Sequence, residues 1–253
     1  MTVGGPEAIS GPSVLSVAGL SKRYGAIVVA DDLHFSVDQG TCLGLIGPNG
    51  AGKSSVFNLI AGTVKPDAGT ISFNGRDIRR LQPHVRARLG IARAFQIPQP
   101  FPHLTVYENV LAAGSFGAGL TEADGEAWTL SVLGRTELIG KVEMLAGHLP
   151  LLDRKRLELA KTIASRAKLL LLDEIAAGLT EREVEQLTAL IGTLKASHAI
   201  IWIEHIPHAL KLVADRILVL HFGRNVLEGP PADVMTSRLV REIYMGFAAD
   251  DVT

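Results

Sequence analysis

Gly47-Pro48-Asn49-Gly50-Ala51-Gly52-Lys53-Ser54 decides how this chain is read. Its spacing is G-x-x-x-x-G-K-[ST]. It follows the apolar run Cys42 to Ile46 and opens a segment, Ser54 to Ala61, with helical apolar spacing. Strand, loop and helix in that order are the context in which this spacing has chemical meaning. Glycines let the backbone curl so that successive N–H groups point inward at phosphate oxygens, and the helix that follows adds the partial positive charge of its N-terminus. Lys53 is placed to reach β- and γ-phosphates, and Ser54 offers a hydroxyl to Mg²⁺. Ser55 completes the nucleotide-binding stretch. The alternative, a glycine-rich turn with no ligand, does not explain why an apolar strand and a helix flank it.

Working outward, Leu169 to Leu172 and Ala199 to Ile203 are two more runs that are apolar on consecutive positions. Such runs suit parallel strands covered on both faces. Leu15 and Val17, then Leu33, Phe35 and Val37, then Ile71 and Phe73 alternate with smaller or polar residues. That alternation predicts half-exposed antiparallel strands, and Asn74-Gly75 supplies a turn after the last of them. Helical patterns at Ser54 to Ala61 and Glu181 to Ser197 separate the apolar runs. The expectation is an α/β core with a parallel sheet and an antiparallel β-subdomain. Residues 97–150 are helical and glycine-punctuated with no buried-strand run, which predicts an inserted helical subdomain. Residues 1–13 carry Gly4, Gly5, Pro6, Gly11 and Pro12 without apolar periodicity and read as a flexible tail. Residues 14–253 read as one domain, with a C-terminal extension from about 236 to 253.

Two strand ends carry further chemistry. Asp173-Glu174 terminates the leucine run, where ligands gather in open α/β sheets. In proteins with a phosphate-binding loop, the acid that ends this strand supports Mg²⁺, and a neighbouring carboxylate orients or deprotonates the attacking water. Glu204-His205 terminates the third run, and a histidine there can hydrogen-bond a γ-phosphate oxygen or the water. Alone, a surface acid pair or a structural histidine would be the plainer reading. Order along the chain gives both their weight.

With 25 basic and 26 acidic residues and a net charge of -1, the chain has no whole-molecule field to steer it onto nucleic acid or anionic lipid. Mean hydropathy is +0.26, yet no unbroken apolar run reaches membrane-spanning length. The single cysteine, Cys42, cannot form an internal disulfide, and no charged-then-apolar leader is visible. A reducing cytoplasm is the expected compartment.

Phosphate-binding loop, Asp-Glu strand and histidine strand in this order resemble the ATP-binding cassette subunit of ABC transporters, from about Val14 to Gly246. Within that family the chain is most similar to subunits of branched-chain amino acid uptake systems. The similarity lies in Leu104-Thr105-Val106-Tyr107-Glu108-Asn109-Val110, Arg156-Leu157-Glu158, Ala176-Ala177-Gly178-Leu179 and Val240-Arg241-Glu242-Ile243-Tyr244-Met245-Gly246. The resemblance implies a RecA-like P-loop NTPase core and ATP with Mg²⁺ bound between two cassettes. It implies that Tyr24 stacks on adenine, that Gln96 reaches Mg²⁺ and the attacking water, that Asp173 supports the metal, that Glu174 is the catalytic carboxylate, and that His205 is the switch histidine. It further implies transmembrane permease subunits, a second ABC ATPase subunit, an indirect link to a periplasmic solute-binding protein, and a peripheral place on the inner face of the cell membrane.

The chain departs from that pattern in places. The family signature, usually L-S-G-G-Q, falls on Leu149-Pro150-Leu151-Leu152-Asp153, which has neither the serine nor the glycines. Ile175 replaces a usual proline, and Thr180 stands where Asp or Asn is common. A poor signature and an intact P-loop in one chain favour a heterodimer over a homodimer. Two rival readings remain: an ABC-type ATPase acting on nucleic acid, which the absence of a basic tract, heptad insertion or Cys₄ pattern opposes, and a cassette that holds ATP with little turnover, which intact Lys53, Gln96, Glu174 and His205 oppose.

Overall fold

The computed structural model describes residues 13–245. Apart from Ser13, which starts the first strand, the expected N-terminal tail lies outside the described residues, as does the chain from Gly246 onward. The chain runs β1 (Ser13–Tyr24), β2 (Ile27–Asp38), β3 (Cys42–Ile46), α1 (Lys53–Ala61), β4 (Ala68–Phe73), β5 (Arg76–Asp77), α2 (Pro83–Leu89), β6 (Ile91–Ala94), α3 (Val106–Ala118) and α4 (Glu122–Arg135). It continues through α5 (Leu151–Ala164), β7 (Leu169–Asp173), α6 (Glu181–Lys195), β8 (Ala199–Ile203), α7 (Pro207–Val213), β9 (Arg216–His221), β10 (Arg224–Gly229), α8 (Pro231–Thr236) and α9 (Arg238–Met245).

Two sheets form. One is antiparallel with order β2-β1-β4-β5, and the other has order β10-β9-β3-β8-β7-β6. In the second sheet β9, β3, β8, β7 and β6 are mutually parallel and only β10 is antiparallel, joined to β9. The consecutive apolar runs are β3, β7 and β8, buried at every position. Covering on both faces is visible in how their side chains divide. Leu43, Leu45, Leu169, Leu171, Ile201 and Ile203 pack with β1, β2, β4 and α1. Their neighbours Cys42, Ile46, Leu170, Leu172, Ile200 and Trp202 pack with α5, α6 and α7. Period-two alternation thus feeds two cores from one sheet. The expected Asn74-Gly75 turn joins β4 to β5 with both residues at positive φ, 48° and 76°, as a two-residue hairpin turn requires.

Strand register determines where chemistry can occur. Leu45 and Asp173 both lie beside Ile203, and Ala94 lies beside Leu172, so β3, β8, β7 and β6 end at one edge. Gly47, Glu204, Glu174 and Gln96 follow these ends. Residues 97–150 contain α3, α4 and two single 3-10 turns, with no strand beyond an isolated Thr105–Leu145 bridge. Thr105 caps α3 through a reciprocal pair with Glu108, which satisfies two N-terminal donors.

One buried cation ties α1 to its surroundings. Arg86, fully buried on α2, donates to the carbonyls of Leu59 (2.7 Å) and Ile60 (2.8 Å) at the C-terminal end of α1, and to those of Arg79 (3.0 Å) and Leu81 (3.1 Å). The negative end of the helix dipole makes this a favourable place for a guanidinium. Burial lowers its pKa, with Asp77 opposing. Gly62 follows α1 because a Cβ there would come within 2.6 Å of the Arg86 Nε. Arg86→Met strips partners from buried carbonyls. It is expected to destabilise the fold by about 3 kcal/mol, read from the urea unfolding midpoint, while Arg80→Met on the same segment leaves the midpoint unchanged.

Candidate nucleotide-binding and hydrolysis site

The loop from β3 to α1 is held in a shape only glycine allows at two points. At Gly47 a Cβ would sit 2.3 Å from the Leu220 carbonyl oxygen, and at Gly52, with φ 105°, a Cβ would sit 2.3 Å from that of Val29. At Gly50 (φ 82°) a Cβ would meet nothing within 4 Å, so there only the backbone conformation demands glycine. Gly52 caps α1 without any side-chain hydrogen bond, which leaves the first-turn N–H groups of the helix without a capping side chain. Ser54 is exposed beside them.

Lys53 is buried, and its Nζ donates to the carbonyls of Gly47 (2.6 Å) and Pro48 (3.0 Å), two members of its own loop. Burial pushes its pKa below the ordinary lysine value, while the nearby Glu174 and Asp173 carboxylates push it back up. These anions are themselves occupied. Arg93 on β6 pairs through Nη2 with Asp173 Oδ2 and through Nη1 with Asn58 Oδ1 (2.8 Å), its guanidinium lying over the rings of Phe57 and Phe95. Glu174 is gripped on both oxygens: Gln96 Nε2 donates to Oε2 at 2.8 Å and His205 Nε2 to Oε1 at 2.7 Å. Its backbone is in the left-handed region at φ 46°, a conformation that costs a non-glycine residue about 1 kcal/mol and turns the chain sharply after β7.

The expected Gln96, Asp173, Glu174, His205 and Lys53 therefore converge at one sheet edge. Tyr24 does not join that cluster by any hydrogen bond. It is half exposed at the end of β1, on the hairpin whose other strand supplies the Val29 carbonyl against Gly52. Lys22 Nζ lies 5.2 Å from its ring centroid. Among the described residues no group of three or more His, Cys, Asp or Glu side chains forms a metal centre. Mg²⁺ at a triphosphate takes most ligands from phosphate and water, so a hydroxyl, one carboxylate and one amide are a sufficient protein contribution, and Ser54, Asp173 and Gln96 fit it.

Four further residues support the site from behind. Glu204 is buried and accepts the N–H of Ala176 (2.9 Å) and of His205 (3.0 Å), joining the loop after Glu174 to the histidine strand; burial raises its pKa and these N–H groups oppose the rise. Lys155, Glu158 and Lys161 lie three residues apart on one face of α5. Lys155 Nζ donates to the Gln96 carbonyl (2.5 Å), Glu158 Oε1 accepts the Gln99 N–H (2.7 Å), and Lys161 Nζ donates to the Gln99 carbonyl (2.8 Å). The backbone groups these three side chains meet leave no mark in the sequence.

The segment at the signature position differs from a glycine loop. Leu149 is buried, Pro150 caps α5 without a side-chain bond, and the helix begins at Leu151. Asp153 turns inward to pair with Lys141 and with Arg156 (3.2 Å). Arg154 N–H already reaches Pro150 O, while the N–H groups of Leu151, Leu152 and Asp153 make no hydrogen bond among the described residues. Leu151 stays exposed, and a Cβ at Gly178, in the loop after Glu174, would be 3.3 Å from its Cδ2.

Because α5 holds Gln96 through a backbone carbonyl and Gln96 holds Glu174 through its amide, Lys155→Met is expected to loosen the glutamine segment without touching the phosphate cradle. Mg-ATP affinity should stay within about twofold while turnover falls about tenfold, measured by nucleotide titration and steady-state phosphate release.

Known proteins share this architecture. The family described as ABC transporter matches residues 30–177. The high-affinity branched-chain amino acid transport ATP-binding protein BraF of Pseudomonas aeruginosa is 32% identical over 251 residues, covering 93% of this chain and 98% of that protein. The corresponding LivG protein of Escherichia coli K12 is 33% identical over 253 residues, with the same coverage. Among solved structures, the ADP conformation of MJ1267, an ATP-binding cassette of an ABC transporter, superposes with a TM-score of 0.84 at 28% identity, covering 92% of this chain and 99% of that one. A P-loop cradle, an acid-ended strand held by a glutamine and a histidine, and matches of this extent place the chain in the ABC transporter family, as an ATP-binding cassette.

Proposed function

We propose that this chain is the Mg²⁺-dependent ATPase subunit of a branched-chain amino acid importer, or of an importer of similar small solutes, working against permease subunits on the inner face of the cell membrane. The observation that carries the ATPase reading is the clamp on Glu174, both of whose oxygens are held by side chains from two other strand ends facing Lys53. Lys53 exchanges its carbonyl partners for β- and γ-phosphate oxygens, and the amides of Gly50 to Ser55 surround the same phosphates. Ser54, Asp173 and Gln96 would hold Mg²⁺, which when bound would neutralise charge on the phosphate oxygens. Glu174 accepts a proton from water as the water oxygen bonds to the γ-phosphorus. The bond from that phosphorus to the bridging oxygen breaks, leaving ADP and phosphate. Gln96 and His205 keep the carboxylate aimed, and Tyr24 offers its face to adenine.

Transport coupling rests on the surface beside Gln96. A cavity of about 310 Å³ is lined by Arg93, Phe95, Gln99, Gly117, Glu158 and Thr162, and the apolar Ile97 (73% exposed) and Phe116 (85% exposed) stand near it. Exposed aromatic and aliphatic groups around a polar groove suit a helix of a permease loop. No helix among the described residues is long and apolar enough to cross a membrane, so the membrane-spanning path belongs to that partner. The BraF and LivG names supply the solute class, and a periplasmic solute-binding protein acts indirectly. Nucleic acid is not a partner in this reading.

A heterodimer is favoured. Pro150 and Leu151 offer the opposite nucleotide neither a hydroxyl nor a small surface, so the partner's signature completes this chain's site while this chain's signature faces the weaker one. The unbonded N–H groups of Leu151, Leu152 and Asp153 favour a second reading, in which both sites turn over.

Lys53→Ala is expected to weaken Mg-ATP binding by about ten- to a hundredfold, the value of a charge-assisted bond; unchanged affinity in an equilibrium titration removes the cradle assignment. Glu174→Gln is expected to retain binding and to slow hydrolysis by about 10² to 10⁴. In the assembled transporter, deleting the catalytic carboxylate one cassette at a time should give unequal losses, and equal losses contradict the asymmetric pairing.

A further inference from the structure

We propose that Tyr244, on the C-terminal helix α9, is a positioning residue for the phosphate-binding loop. Its hydroxyl oxygen accepts the Gly47 N–H at 2.9 Å, across 197 residues of sequence. This inference rests on the nucleotide-binding role of that loop and adds to it an element outside residues 30–177.

Gly47 is the entry point of the loop, and its peptide groups are fixed from several directions. Its N–H goes to Tyr244, its carbonyl receives Lys53 Nζ at 2.6 Å, and its α-carbon is pressed against the Leu220 carbonyl so closely that no Cβ fits. When Lys53 leaves for a phosphate, its hold on the carbonyl is released, and the Tyr244 bond remains to keep the entry in place. A pre-set loop binds more tightly because the ligand does not have to order it.

Residues other than the hydroxyl anchor α9. Val240 is buried and Ile243 packs partly into the core, whereas Tyr244 as a whole is 47% exposed. Burial raises the tyrosine pKa, with the Gly47 N–H opposing, so the hydroxyl is neutral at physiological pH. The same helix walls a cavity of about 270 Å³ whose other side includes Ile46, Glu204 and His205. One short helix therefore touches the phosphate loop and stands across from the histidine segment.

The test is Tyr244→Phe in the full chain, which keeps the ring and removes only the acceptor. The thermal unfolding midpoint should fall by no more than about 2 to 4 °C, the shift one lost hydrogen bond represents, because the ring and the anchoring residues remain. Mg-ATP affinity should fall about fivefold, the factor one ordinary hydrogen bond represents. KM should rise to match while kcat stays within twofold, and the Gly47 amide should exchange hydrogen faster in the nucleotide-free protein. Wild-type affinity together with wild-type Gly47 exchange overturns the proposal. So does a fall in melting temperature with affinity unchanged, which would make the contact packing only, or a loss of kcat at constant KM. Failure of the wild-type protein to bind Mg-ATP in the same titration overturns the underlying nucleotide reading, and this inference with it.

Discussion

A buried ammonium group needs acceptors, and Lys53 finds them in the carbonyls of its own loop, Gly47 and Pro48. The rest of the site is arranged around that cation. Stripped of water, an unpaired charge would cost several kcal/mol or lose its proton. The carbonyl pair gives it acceptors, and the facing carboxylates of Glu174 and Asp173 oppose the fall in its pKa that burial causes. The two carboxylates are likewise held by partners within the protein. Arg93 holds Asp173, and Gln96 with His205 holds Glu174. Held in this way, the two carboxylates are oriented before any ligand arrives.

Those contacts are carried outward by backbone atoms. α5 grips the main chain at Gln96 and Gln99 through Lys155, Glu158 and Lys161, and its N-terminal end is the degenerate signature. Glu204 bridges the loop after Glu174 and the segment at His205. α5 is thereby tied to the Gln96 segment without any side-chain contact at the phosphates. Arg86 does the equivalent for stability by closing the C-terminal end of α1, whose N-terminal end is the cradle.

Much of this was legible before any coordinates, and the boundary of legibility is physical. The P-loop, the acid-ended strand and the histidine strand were readable because each couples a local motif to a local apolar run: β3, β7 and β8 are buried at every position. β6 was not among the apolar runs, since Ile91-Ala92-Arg93-Ala94 interrupts its apolar character with the arginine that serves Asp173. β9 is apolar from Ile217 to Leu220 with no motif after it, yet it pairs with β3 and supplies the Leu220 carbonyl that forces Gly47. Arg86, Lys155, Glu204 and Tyr244 were illegible for one shared reason. Each meets backbone atoms distant in sequence, and a backbone donor or acceptor leaves no mark in residue identity. Loss of the signature glycines was plain in the sequence, whereas the three unbonded N–H groups that remain at the start of α5 needed coordinates.

The most direct measurement is a crystal structure of the full chain carrying Glu174→Gln with Mg-ATP. The prediction is that Lys53 Nζ leaves the Gly47 and Pro48 carbonyls and lies about 3 Å from β- and γ-phosphate oxygens, with the amides of Gly50 to Ser55 turned toward the phosphates and adenine against Tyr24. A triphosphate bound elsewhere, with Lys53 still on its own carbonyls, would contradict it.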